Sequence, residues 1–338
     1  MTKTSQRVQE RKNILISGGA GFIGSHLCEE LIKESNVICL DNFITSNVEN
    51  IRFLLQNPNF EFIKHDITEP IDLGKLPELK KFQIEVFGLQ EIYNLACPTS
   101  AKNFDKLVIK TLLVNAQAVK NVLDLALKYD AKLLQASSSV VYGNRPSQEK
   151  IAENYQGVVD FTTPRGCYDE GKRFAETMVL TYNNFYKKSY KIARIFRTYG
   201  PRLALKDGHM ISDFMLNALD NTDLVIFGEK DFSTSLCYVS DIVDGLIKLM
   251  GSNLTLPVNL GSDEDVQLSL VADKIIKLAD SSSKIVYKKS LDYITYLCLP
   301  DISLAKEKLG WYPLMKLEDG LQRTLDYTRA HKQLLDSL

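Results

Sequence analysis

Tyr168 and Lys172 stand four residues apart in a stretch with helical patterning, so their side chains share one face of a helix, one turn apart. A phenol titrates near pKa ~10, and using it as a base near neutrality takes about 3 units of help, roughly 4 kcal/mol. A neighbouring ammonium and a positively charged ring stabilise the phenolate by charge attraction. Ser138, in the run Ser137-Ser138-Ser139, adds a hydroxyl able to bridge a substrate alcohol and Tyr168. The three together suit removal of an alcohol proton while hydride leaves the same carbon. A Tyr-x-x-x-Lys pair alone could equally be a surface tyrosine beside a solvated lysine. Its place after a strand ending in serines, downstream of a glycine-rich turn, raises it above that.

That glycine turn is the hydride acceptor's expected seat. Asn13–Ser17 is a short apolar run entering Gly18-Gly-Ala-Gly21-Phe22-Ile23-Gly24, after which Leu27, Leu31 and Ile32 recur at helical spacing. Asn36–Leu40 is a second apolar run, ending at Asp41. Strand, glycine turn, helix, strand make one βαβ unit. Gly18 is expected to make the tight turn, Gly21 to let the backbone approach a pyrophosphate, and Gly24 to let helix pack closely on strand. Free amides at the helix start then hold the phosphates. Asp41, seventeen positions after Gly24, is placed to accept hydrogen bonds from the adenosine ribose. A carboxylate there repels a 2′-phosphate, and neither Asn42 nor Phe43 is an arginine that could neutralise one, so the expected cofactor is NAD. Asp66, followed by Ile67, either meets the adenine edge or is an ordinary turn aspartate.

The elements around these residues keep alternating. Phe60–Lys64, Glu91–Leu95, Lys132–Ser137 and Lys191–Phe196 read as strands; Val108–Tyr129 and Tyr168–Tyr186 read as helices. This predicts an α/β fold, a Rossmann-type doubly wound parallel sheet with ligands outside the carboxyl ends of its strands. After about Gly200 the strands shorten (Leu224–Phe227, Lys284–Tyr287), while Val239–Met250, Leu268–Leu278 and Leu317–Leu335 still read as helices. The expected organisation is a flexible tail over 1–12 and a cofactor domain over 13–200 with a return segment at about 236–262. A smaller mixed α/β substrate domain takes 201–235 and 263–338.

Composition sets limits. In 338 residues, 45% are apolar and 25% charged, as in soluble globular chains, and the net charge of −1 offers no field for nucleic acid or an acidic membrane. No apolar run is long enough to span a bilayer, and the polar, basic N-terminus does not read as a secretory signal. Six scattered cysteines and four histidines show neither a disulfide framework nor a metal-ligand spacing. Reduced thiols in the cytoplasm, with no metal, are therefore expected.

Gly18–Gly24, Asp41, Asn94-Leu-Ala96, Ser137–Gly143, Tyr168-x-x-x-Lys172, Tyr199-Gly-Pro-Arg202 and Tyr238-Val-Ser-Asp241 together resemble the extended short-chain dehydrogenase/reductases that modify nucleotide sugars. Arg165–Glu176, Pro300-Asp-Ile302 and Lys308–Pro313 are most similar to the UDP-glucuronate decarboxylase (UDP-xylose synthase) branch. The resemblance implies transient oxidation of the sugar at C4 by NAD, and a homodimer in which the two long helices form a four-helix bundle. It implies cofactor contacts from Gly18, Gly21, Phe22, Ile23, Gly24, Asp41, Asn42, Asp66, Ile67, Leu95, Ala96, Asn115, Tyr168 and Lys172. Substrate contacts are expected from Pro98, Ser139, Arg197, Arg202, His209 and Thr234.

The departures from that pattern are informative. Where the decarboxylase branch has a glutamate two positions after the catalytic Ser/Thr, this chain has Val140, which cannot transfer a proton. The arginines expected near the phosphates and carboxylate fall at Thr234 and Cys298, while an asparagine position carries Arg197. With Ser138, Tyr168 and Lys172 present and no further acid, the residues point first to an epimerase-type outcome on a UDP-hexose or UDP-uronate. The alternative is decarboxylation of UDP-glucuronate to UDP-xylose, and a second alternative is an NAD(H)-binding sensor or assembly protein without turnover.

Overall fold

The computed structural model describes residues 11–100, 106–144, 149–205, 207–290 and 297–336, so most of the expected N-terminal tail lies outside the described residues. The first unit is β1 (Asn13–Ser17), α1 (Phe22–Leu31), β2 (Asn36–Asp41) and β3 (Phe60–Lys64). β4 (Glu91–Asn94) follows, then α2 (Val108–Leu113), a π-helical turn at Val114–Ala118, and α3 (Val119–Tyr129). β5 (Lys132–Ser138), α4 (Gly166–Tyr186) and β6 (Lys191–Ile195) complete this half. All residues of β1 and β4 are buried, because helices cover both faces of the sheet and leave no solvent side to carry polar residues.

The other half holds α5 (Met210–Leu219), β7 (Leu224–Phe227), α6 (Val239–Gly251), β8 (Val258–Leu260) and α7 (Leu268–Ala279). β9 (Ile285–Lys288), α8 (Ser303–Leu309) and α9 (Leu317–Asp336) end it. The main sheet has seven parallel strands in the order β8-β6-β5-β4-β1-β2-β3. The order reverses between β1 and β4, the switch point where such sheets open a crevice. β8 pairs with the edge of β6, and α6 shares a core cluster with α1 and β1, so the chain returns to the sheet after leaving it. A second core gathers α5, α7 and α9 around the parallel pair β7–β9.

Two differences from the expected elements have physical causes. Met210–Leu219 forms a helix that the sequence reading did not expect: six of its ten residues are buried between neighbours, so Asp213 and Asn217, one turn apart, mark only a narrow outer face. The single expected helix 108–129 contains the π turn, where Asn115 sits against Gly171 of α4. Among the described residues no helix is long and apolar enough to cross a membrane.

Candidate active site

A cleft of about 1010 Å³ runs along the carboxyl ends of the strands, between the sheet and the second core. One end is built from main chain. Gly18 has φ +70°, and a Cβ there would lie 2.8 Å from the Ala96 backbone; at Gly24 it would lie 2.1 Å from the Gly18 carbonyl. Side chains at either position would force the loop away from the sheet or the helix away from the loop. Asp41 ends β2 and ties this loop down: Oδ2 accepts from the Ala20 amide (3.1 Å), and Oδ1 accepts from the Phe43 amide (2.9 Å) and Ser46 (2.6 Å). Oδ2 retains acceptor capacity toward the cleft. Asp66 also lines the cleft while making a turn, accepting from Thr68 and from Asn42 Nδ2.

The other end is built from side chains. Ser138 closes β5 and caps the turn Ser139–Tyr142, accepting from the Val140 amide at 3.4 Å. The Tyr168 phenol, one turn into α4, shares a hydrogen bond with Ser138. Lys172 lies on the same face, its Nζ 5.8 Å from the Tyr168 ring centroid, but that ammonium donates to the Ala136 carbonyl (3.0 Å). Burial pushes the Tyr168 phenol above its ordinary range and nearby Cys97 adds to this; Ser138 and Arg165 pull it back only in part. A deeper network fixes the frame: Glu176 accepts from Ser137 (2.5 Å) and pairs with Arg194 (2.9 and 2.7 Å), whose Nη1 reaches Tyr142. These bonds join β5 and α4, the two elements that carry the trio, to β6.

Two cations face the trio. Arg165, the residue before α4, pairs with Asp169 (3.1 Å). Arg197 follows β6 in the cleft wall; Nη1 donates to Thr234 (3.0 Å), and no carboxylate of the described residues lies within ion-pair distance. Burial, then the nearby Arg165 charge, pushes the Arg197 guanidinium down to about 10. Arg202 lines the cleft nearer the glycine loop, pairs with Glu29 (2.5 Å), and keeps a buried Nη1 without a partner.

All but two of the expected site residues line this cleft. Phe22, Ile23, Asn42, Ile67, Leu95, Ala96, Pro98, Ser139 and His209 do so, with His209 beside Asp207 at 3.4 Å. Asn115 and Thr234 do not. Asn115 is buried behind the wall, donating to Thr111 (2.9 Å) and Cys97 Sγ (3.3 Å), because the π turn aims it at α4. Thr234 is covered by the Arg197 side chain that bonds it. Val140 is buried against Tyr168, with Cys97, Cys167 and Leu297 packed around them. Sequence reasoning passed over Arg165 and Cys97 as site residues. Arg165 stands three positions before Tyr168 and Cys97 directly after Ala96, so proximity to known motifs was the available signal.

Comparison with known proteins agrees with this geometry. The NAD-dependent epimerase/dehydratase family profile matches residues 14–261. The chain belongs to that family. It is 40% identical over 322 residues to UDP-glucuronic acid decarboxylase 1 of Xenopus tropicalis, covering 95% of this chain and 73% of the relative. It is also 40% identical to UDP-glucuronic acid decarboxylase 3 of Arabidopsis thaliana, covering 94% of this chain and 90% of that protein. The solved UDP-glucuronic acid 4-epimerase of Bacillus cereus, in complex with UDP-glucuronic acid and NAD, overlays with a TM-score of 0.82 at 26% identity, covering 94% and 99% of the two chains. As a family member the chain is an NAD-dependent enzyme. Its residues fit that cofactor: the glycine cradle that a Cβ would fill, Asp41 at the end of β2, and Arg202 in the cleft wall with a buried Nη1 left without a partner.

Proposed function

We propose that this enzyme oxidises C4 of a UDP-linked uronate and releases the carboxylate as CO₂. What carries the reading is the apolar wall beside the phenol, where Val140 packs on Tyr168 with Leu297 and Cys97 at the cleft face. A 4-keto uronate is a β-keto acid, so its C–C bond breaks into the adjacent carbonyl without a base. The charge spreads from a carboxylate into an enolate as CO₂ leaves, and a wall that solvates the carboxylate poorly favours that dispersal. The named decarboxylase relatives support the same outcome and move the lead away from epimerisation.

Bound NAD would supply the hydride acceptor for C4 and, in reduced form, the donor that restores it. Tyr168 takes the hydroxyl proton from O4 and gives it back, oriented by Ser138, while Lys172 holds its place through Ala136. Arg197 and Arg202 supply the positive charge for the anionic groups of cofactor and nucleotide. A second reading, 4-epimerisation, rests on the trio alone, because turning the keto sugar over needs no further group. Incubation with NAD and UDP-glucuronate separates the two: product lighter by CO₂ supports decarboxylation. Unchanged mass with an inverted C4, read by NMR, overturns it.

We also propose a homodimer through α2 and α4. Ile109, Leu112, Leu113, Phe174 and Phe185 are exposed on these helices, which pack side by side. A monomeric mass in solution would remove this assignment.

A further inference from the structure

We propose that Cys97 is the acid that protonates C5 after CO₂ leaves, and that Asn115 positions it. This rests on the decarboxylase reading and deepens it. Two protons have to be handled in that reaction. The one from O4 goes to Tyr168 and must return to O4 when the ketone is reduced. The enolate left by CO₂ needs a second, delivered to carbon, and Tyr168 cannot hold both.

Position 140 offers no acid, so the second donor must be another group at the same wall. Cys97 meets the geometric requirements. It follows β4 at the carboxyl edge of the sheet, lines the cleft, and packs against Tyr168 and Val140. Its sulfur is held from behind: Asn115 Nδ2 donates to Sγ at 3.3 Å, and the thiol faces the Pro98 carbonyl at 3.4 Å. That amide fixes where the sulfur sits at the cleft wall. Asn115 is itself fixed by the π turn and by Gly171 of α4. A Cβ at Gly171 would come within 2.9 Å of Asn115 Nδ2, so this glycine leaves the room that the amide occupies. Helix, amide and thiol thus form one chain ending beside the phenol. Cys167, packed on the same cluster, does not line the cleft and is not the donor.

The step balances. The C5–CO₂ bond breaks and its electron pair enters the C4–C5 enolate. The enolate carbon takes the thiol proton, leaving the Cys97 thiolate, and water returns that proton before the next turnover. Overall, one solvent proton replaces CO₂ on carbon, and the electrons taken from C4 go back to C4.

The experiment compares wild type, Cys97→Ser, Cys97→Ala and Asn115→Ala with UDP-glucuronate and NAD in D₂O, with thermal unfolding as the check on folding. CO₂ release by wild type tests the function itself; the substitutions test the inference. In wild type, deuterium enters C5 on a single face. The Cys97 variants are expected to keep CO₂ release but slow formation of the reduced pentose at least tenfold. They should release 4-keto pentose, detected by mass, and carry deuterium on both faces of C5. Asn115→Ala should show the same loss of facial selectivity in milder form, a signature that mere loosening of the helix would not produce. Cys97→Ala making the reduced pentose at the wild-type rate with one-faced deuterium overturns the assignment while leaving the decarboxylase reading intact. Wild type that inverts C4 with no deuterium at C5 overturns both.

Discussion

The two ends of the cleft are built by different means. At the cofactor end the contact surface is main chain: Gly18 and Gly24 allow backbone to lie against backbone, and Asp41 bonds the loop it faces. At the other end it is side chain: Arg197, Val140, Cys97 and Tyr168 line the cleft, and Val140, Cys97 and Tyr168 pack on one another. A main-chain surface tolerates few changes, since an added Cβ collides with atoms that cannot move aside. A side-chain surface can be rewritten one residue at a time while the fold stays. The positions singled out in the sequence as departures, 140, 197, 234 and 298, all lie at the side-chain end of the cleft or behind it.

Three substitutions probe that contrast. Tyr168→Phe stands at the junction and should have the largest effect, lowering turnover by about 10²–10⁴-fold because the O4 proton loses its acceptor. NAD affinity, followed by fluorescence, should be unchanged; full activity would remove Tyr168 from the mechanism. Arg197→Asn should weaken UDP and UDP-glucuronate binding by about 10–100-fold, the worth of a charge-assisted bond, with NAD binding and melting temperature retained. Calorimetric titration reads it, and equal loss for both ligands would place the contact on the phosphates rather than the carboxylate. Gly21→Ala should be smallest. Its Cβ would meet only the Gly18 carbonyl, at 3.1 Å. Stability should therefore hold while NAD affinity falls by about tenfold or less, roughly 1.4 kcal/mol. A large drop in melting temperature instead would mean that Gly21 serves folding as Gly24 does.

The contrast also explains what could be read in advance. The βαβ unit, the trio and most of the cleft wall were legible because each is written locally, as spacing along one strand, turn or helix. Asn115 was expected at the cofactor, and the structure places it behind the cleft wall instead. The π turn rotates it away from the cleft and toward Cys97, and such a turn depends on the packing of α4 rather than on the run 108–129. Arg197 could be read as an ion pair or as an anion contact. Only the folded chain shows Thr234, a hydroxyl, where a carboxylate would have been needed for the former. The same holds for α5, whose burial on several sides leaves it only a narrow outer face.

By itself, then, the order of residues determined the sheet, the glycine cradle and the one-turn spacing of Tyr168 and Lys172, because hydrophobic period, chain stiffness and glycine's conformational range act over a few neighbouring positions. Tertiary packing alone decided the electrostatics of the site. It buries Tyr168 so that its phenol is harder to ionise, directs the Lys172 ammonium to a carbonyl, and places Arg197 in the cleft wall with no carboxylate of the described residues within ion-pair distance. Desolvation and charge pairing depend on which distant segments meet, and no local pattern along the chain records that meeting.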